Sequence, residues 1–167
     1  MLQVGIIGYG RRIAHMAREL GVYGLPYQVA AVADPRAEAL RAVGDPLLAE
    51  ARFYLDADAM LRAEAEALDG VMVGTRCYLH AEMACRVAPY RLPLFLEKPV
   101  AITFEQLKAL DRAFGDDAAP TVVSFPLRLT PIVQTVKQML ASDAIGSVEH
   151  VVAVNDVPYG DVYYRRW

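Results

Sequence analysis

The sequence predicts an α/β protein built on a doubly wound parallel sheet, and three observations carry that expectation. Short apolar runs recur along the chain, each stopped by Gly, Pro or Asp, and stretches of helical pattern separate them. Strands that alternate with helices in this way pair in parallel and carry helices on both faces. The first run, Leu2-Gln3-Val4-Gly5-Ile6-Ile7, passes through a tight glycine turn, Gly8-Tyr9-Gly10, straight into a helical segment. At 55% hydrophobic and 22% charged, the 167 residues can build one full domain with a buried core and part of another.

Taken in order, residues 13–20 follow the glycine turn as a helix, and 27–33 read as a second strand stopped by Asp34-Pro35. The proline disfavours helical geometry at Asp34 and leaves its carboxylate at the strand end. A helix over 37–43 is broken by Gly44-Asp45-Pro46, a short strand is expected around 52–54, and a helix over 57–68. Residues 70–74 form a strand ending in Thr75, 80–88 a helix stopped by Pro89, and 94–96 a buried strand closed by Glu97-Lys98-Pro99. Thr103 is a natural N-cap with Gln106 as its capping-box partner. That helix runs to Phe114, and a Gly115-Asp116-Asp117 turn leads to a strand over 121–125. The rhythm then changes. Thr130-Pro131 opens a helix to Leu140 with proline at the favoured first position. Ile145-Gly146-Ser147 is a turn, 148–154 a strand, and 155–167 an irregular aromatic stretch. We expect residues 1–121 to form a nucleotide-binding domain and 122–167 to begin a second, incomplete one.

Composition excludes several classes. Seventeen Lys and Arg against 20 Asp and Glu leave a net charge of −3, so there is no electrostatic case for nucleic acid or an anionic membrane as partner. Met1 leads directly into a core strand without the pattern of a signal peptide, and no apolar run approaches the roughly 18 residues of a spanning helix. Cys77 and Cys85 form no CxxC and gather no histidines, which predicts reduced, buried thiols in a cytoplasmic protein and no metal site.

The chemistry concentrates at strand ends. A strand, a glycine turn and a helix N-terminus make an anion site, because unpaired N–H groups and the helix dipole point at the turn. The dinucleotide fingerprint G-x-G-x-x-G is matched at Gly8 and Gly10, while Ile13 fills its third position. A branched side chain there is expected to push the helix outward or widen the turn. Arg11 and Arg12 sit at the mouth of the turn, where the dipole disfavours a cation unless an anion offsets it. That favours a pyrophosphate contact over a solvated pair. Asp34 occupies the position of the fingerprint's acid, which accepts hydrogen bonds from the adenosine ribose; the plainer alternative is an Asp-Pro turn. An acid there repels a 2′-phosphate and favours NAD, whereas Arg36 could pair with the phosphate of NADP. Lys98 stands at the carboxyl end of a parallel strand, where open α/β sheets bind ligands. Partly desolvated, such a lysine can serve as a general acid/base; the alternative is a surface lysine before a turn.

The order Val-Gly-Ile-Ile-Gly-Tyr-Gly, Ala-Asp-Pro, Thr75 with His80, Leu-Glu-Lys-Pro-Val and Ile145-Gly146-Ser147-Val148 resembles the Gfo/Idh/MocA family of nicotinamide-dependent oxidoreductases. The resemblance spans essentially the whole chain, matched to the N-terminal half of a family member, and Glu-Lys-Pro is its distinctive part. It implies a Rossmann-type domain holding NAD or NADP, with NAD favoured, and Lys98 as the catalytic-site lysine. Glu97 and Pro99 would shape the cofactor pocket, Thr75 and His80 would line it, Asp34 would be the acid after the second strand, and Tyr9, Gly10, Arg11 and Arg12 the pyrophosphate loop. The same resemblance implies a mostly antiparallel second domain that covers the nicotinamide, builds a homo-oligomer and supplies an Asp-x-x-x-His motif. No such motif occurs among His15, His80 and His150. Arg128 and the tail from Tyr163 to Trp167 are left between a substrate-side and a structural role.

The implied activity is hydride transfer between nicotinamide and a secondary alcohol of a sugar, polyol or related small molecule, with this chain by itself binding dinucleotide weakly or not at all and not turning over. Two alternatives are a dinucleotide-binding sensor or assembly module without catalysis, and NAD-assisted lyase or glycosidase chemistry.

Overall fold

The computed structural model describes residues 1–115, 119–154, 156, 160 and 165. The Asp116-Asp117 part of the expected turn, and Asn155, Tyr163, Tyr164, Arg166 and Trp167 of the tail, lie outside the described residues. The chain divides into two compact units, Met1–Phe125 and Pro126–Trp167.

The first unit alternates strand and helix throughout: β1 (Leu2–Ile7), α1 (Arg11–Val22), β2 (Tyr27–Ala33), α2 (Ala37–Val43), β3 (Arg52–Tyr54), α3 (Ala57–Glu64), β4 (Gly70–Val73), α4 (His80–Val87), β5 (Leu94–Leu96), α5 (Phe104–Phe114) and β6 (Thr121–Val123). All pairings are parallel and the strand order is β3-β2-β1-β4-β5-β6. The order reverses between β1 and β4, which opens a crevice at the carboxyl ends of those strands. Period-two alternation sorts the strand residues onto two cores. Val32, Ile6 and Met72, with Phe53 and Phe95 at their flanks, pack with Ile13, Ala14 and Ala17 of α1. On the other face, Ala33, Ile7, Val73 and Leu96 pack with Met60 and Leu61 of α3 and with Ala84 and Val87 of α4.

The ladder continues one residue past the strands. Backbone N–H groups of Asp34, Gly8, Gly74, Glu97 and Ser124 donate to the carbonyls of Tyr54, Ala33, Ile7, Val73 and Leu96 at 3.0, 2.8, 2.9, 3.0 and 2.9 Å. These five residues therefore stand side by side, in that order, along the carboxyl edge of the sheet. β6 pairs with β5 and belongs to the first unit, which runs through Phe125.

In the second unit a single-turn 3₁₀ segment, Pro126–Leu129, precedes α6 (Pro131–Ala141), which opens with Thr130 at its N-cap and Pro131 in its first turn. Ile132, Val136, Met139 and Leu140, at one-face helical spacing, are all exposed. The strand expected over 148–154 does not form. No neighbour takes its backbone groups into a ladder among the described residues, and Val151, Val152 and Val154 are exposed. β-branched composition without a pairing partner does not make a strand.

Candidate functional site

The glycine turn is built on Gly8, whose φ is +82°. A Cβ there would lie 2.7 Å from Thr75 Cγ2 and 2.9 Å from Thr75 Cα and N, so both conformation and space require glycine. The turn and Thr75 are thus brought together across β1 and β4. Gly10 is the N-cap of α1, and no side chain caps that helix, which leaves the first-turn N–H groups to an external acceptor. At the expected third glycine, Ile13 is fully buried. A Cβ built on Gly74 would fall 2.5 Å from Ile13 Cβ. The glycine that the fingerprint places on the helix has its counterpart just past β4, and Ile13 packs into the room Gly74 leaves.

Tyr9 does not present its ring to the crevice. It is buried, and its hydroxyl donates to Asp45 Oδ2 at 2.8 Å. Burial and that carboxylate push the phenol's pKa up. The Tyr9 backbone N–H donates to Asp34 Oδ2 at 2.9 Å, so Tyr9 braces the turn to the acid. Asp34 is buried and its two oxygens accept four hydrogen bonds: that one, the Arg36 backbone N–H at 2.9 Å, Arg36 Nε at 3.0 Å and Arg36 Nη2 at 2.9 Å. The carboxylate at the strand end is covered by its own neighbour, Arg36. Burial alone would raise the Asp34 pKa, but the Arg36 side chain and backbone and the Tyr9 N–H together hold it below the usual carboxylate range.

Arg12 and Glu97, distant in sequence, meet: Arg12 Nε donates to Glu97 Oε1 at 3.1 Å, and Glu97 is buried. Arg12 is thus committed to the end of β5. Arg11 is exposed and has no hydrogen-bond or ion-pair partner among the described residues. His80, expected to line a pocket, is 2% exposed, with Nδ1 2.7 Å from Pro99 O and Nε2 3.1 Å from Thr75 O. Its ring joins the loops after β4 and β5. Gln106 adds a second tie, accepting the Ile102 N–H at 2.8 Å and donating to Tyr78 O at 2.9 Å. Its main-chain donor is thus one residue ahead of Thr103, the one a capping box uses. Lys98 follows Glu97 beyond the last row of the ladder, joined to Pro99 by a cis peptide. Lys98 is exposed. Cys77 and Cys85 are free and half-buried, not fully buried as expected.

Two features of the edge carry no motif. Gly74 ends an apolar run, the only signal that could have marked it, and Ser124 has none. Ser124 is buried beside Glu97, and its hydroxyl lacks a hydrogen-bond partner among the described residues.

Acid should loosen this arrangement. Glu64 is also held low, first by the Arg52 side chain, against its burial, and then by the Tyr54 hydroxyl. A carboxylate whose folded pKa is depressed contributes stability above its unfolded pKa, and loses it as pH falls through the folded one. Unfolding free energy from denaturant titration should therefore fall as pH drops below about 4, and Asp34→Asn should flatten that slope. An unchanged slope in the variant would remove Asp34 from the account.

Residues 2–124 match the family model GFO_IDH_MocA, described as an oxidoreductase family with an NAD-binding Rossmann fold. The chain is similar to a D-apiose dehydrogenase of Paraburkholderia graminis, 32% identical over 72% of this chain and 31% of that protein. It is also similar to an inositol 2-dehydrogenase of Rhizobium meliloti, 27% identical over 94% of this chain and 46% of that one. Among solved structures, the myo-inositol dehydrogenase of Lactobacillus casei, in complex with NAD(H) and myo-inositol, superposes with a TM-score of 0.75 at 25% identity, over 88% of this chain and 43% of that one. The chain spans less than half the length of these relatives.

Proposed function

Because the chain belongs to the Gfo/Idh/MocA oxidoreductase family, matched over residues 2–124, we propose that its first unit holds a nicotinamide dinucleotide for the dehydrogenation of a sugar- or polyol-like alcohol. The observation that carries this reading is the row Asp34–Gly8–Gly74–Glu97–Ser124 at the carboxyl edge, with the uncapped α1 at its centre. At Gly8 and Gly74 a side chain would strike Thr75 and Ile13, so between the flanking polar residues this edge presents backbone alone. The residues present fit the group. The first-turn amides of α1 receive the pyrophosphate, Arg11 supplies the charge that Arg12 has committed to Glu97, and Asp34 lies on the adenosine flank.

When bound, the nicotinamide ring supplies the hydride chemistry. The chain's own part is positioning and proton handling. His80 fixes the Thr75 and Pro99 loops against each other, and Lys98 takes or returns the proton at the substrate hydroxyl oxygen. Taken without Arg36, the acid at Asp34 favours NAD. The relatives' names point to sugars and inositols as the substrate class. Residues 126–167 read as the first elements of a second domain, an interpretation supported by the exposed apolar face of α6. In this reading the protein works in the cytoplasm as a homo-oligomer, and the present chain binds dinucleotide weakly without turning over.

The test is titration of the chain with millimolar NAD, followed by amide NMR shifts. Shifts should gather at Gly8–Ala14, Asp34, Thr75 and Glu97–Lys98. No shifts, or shifts confined to the opposite edge of the sheet, would sink the proposal.

A further inference from the structure

A carboxylate offers about four lone-pair sites. At Asp34 four hydrogen bonds fill them, two from the Arg36 guanidinium, one from the Arg36 N–H and one from the Tyr9 N–H. The two backbone donors are fixed by the turn and by the chain just past β2. The guanidinium is not fixed in that way: its side chain is 62% exposed, and beyond Asp34 its one hydrogen-bond partner among the described residues is the Tyr9 carbonyl, at 3.1 Å from Nη2. A ribose diol can therefore reach Asp34 only by taking the place of Arg36.

We propose that Arg36 is a specificity-determining residue that competes with the adenosine ribose for Asp34. On the reading given under Proposed function, its guanidinium lowers affinity for NAD and lends affinity to NADP. Three consequences follow from the geometry. With Arg36 bound across it, the carboxylate is paired, and its repulsion of a 2′-phosphate is largely cancelled. The guanidinium still has donors facing solvent, and it forms strong charge-assisted bonds to phosphate. A free 2′-hydroxyl, in contrast, must dislodge a bidentate ion pair before it gains its own hydrogen bond. The acid after β2, read from sequence as a mark for NAD, is thereby turned into a site that accepts either dinucleotide.

The experiment is calorimetric titration of the chain with NAD and with NADP, in the wild type and in Arg36→Met, which keeps the aliphatic stem. The variant should bind NAD several-fold more tightly, because Asp34 is released, and NADP about tenfold more weakly, because the phosphate loses its partner. The opposite signs are the signature. A purely structural Arg36 would move both affinities in one direction or leave both unchanged, and either result overturns the proposal. Arg36→Lys guards against misfolding of the first variant. It keeps the charge but not the planar fork, so it should retain most NADP affinity while loosening its hold on Asp34. If Arg36→Lys instead loses NADP and NAD affinity together, the competition is overturned. A wild type that binds neither dinucleotide overturns the functional reading itself, an outcome distinct from unaltered binding in the variants.

Discussion

Gly74→Ala should destabilise the first unit by about 3 kcal/mol, the upper end of ordinary overpacking. The added methyl would lie 2.5 Å from Ile13 Cβ, 2.8 Å from its Cγ1 and 3.0 Å from its Cγ2. Ile13 cannot swing aside: it is β-branched, which leaves one preferred rotamer in a helix, and it is fully buried between α1 and the sheet. The contact involves Cβ itself, so relief requires moving α1 as a body. A loss of this size is a large fraction of the roughly 5–15 kcal/mol that holds a domain together. The reciprocal change is informative too. Ile13→Gly restores the fingerprint's third glycine, yet it removes a buried side chain opposite another glycine. It should therefore cost about 2–5 kcal/mol of stability rather than simply tune ligand binding. Combined, Gly74→Ala and Ile13→Gly should lose much less than the sum of the two, since the new methyl enters the space Ile13 has left. Denaturant unfolding of all four proteins in a double-mutant cycle measures that coupling, expected near 2 kcal/mol. Strictly additive losses would show that Ile13 and Gly74 do not share the space assigned to them.

That pair also shows how far the sequence is legible. The alternation of apolar runs and helical patterns places every strand and α-helix of the first unit, because hydrophobic period is a local property of the chain. The glycine turn, the acid after β2 and the lysine after β5 are local in the same sense, and all three lie on the carboxyl edge. What could not be read is what happens between distant segments. Nothing in the neighbourhood of Ile13 announces that Gly74 makes its room, nor that Arg12 will pair with Glu97. His80 has the composition of a ligand-lining residue, and only the fold reveals that both its nitrogens are occupied by the carbonyls of two loops. Asp34 and Arg36 are two residues apart, but whether the arginine leaves or covers the acid depends on side-chain direction. In the second unit the valines at 151, 152 and 154 carry strand propensity without a strand, because propensity does not supply a neighbour.

On the function proposed above, Lys98→Met should abolish most of the dehydrogenase activity while leaving cofactor affinity nearly unchanged. Lys98 is exposed, and among the described residues its side chain makes no hydrogen bond or ion pair, so its removal takes nothing from the packing of the first unit. The backbone on either side is held independently. Glu97 N–H is paired to Val73 O at 3.0 Å, and Pro99 O lies 2.7 Å from His80 Nδ1. A positioned lysine that moves a proton at the substrate hydroxyl contributes about 10²–10⁴-fold to rate. The loss should appear in kcat for a polyol or sugar substrate, with the dissociation constant of NAD within a few-fold of wild type. Lys98→Arg separates charge from proton transfer. A guanidinium stays protonated at any working pH, so it can preserve an electrostatic contact but cannot act as a base. If Lys98 carries the proton, the arginine variant should be nearly as slow as the methionine variant. Full activity in the arginine variant would reassign Lys98 to charge stabilisation, and a parallel collapse of NAD affinity in both would make it a cofactor anchor. The exposure of Lys98 makes this discrimination sharp: a side chain with no partner in the described fold has only ligand contacts to lose.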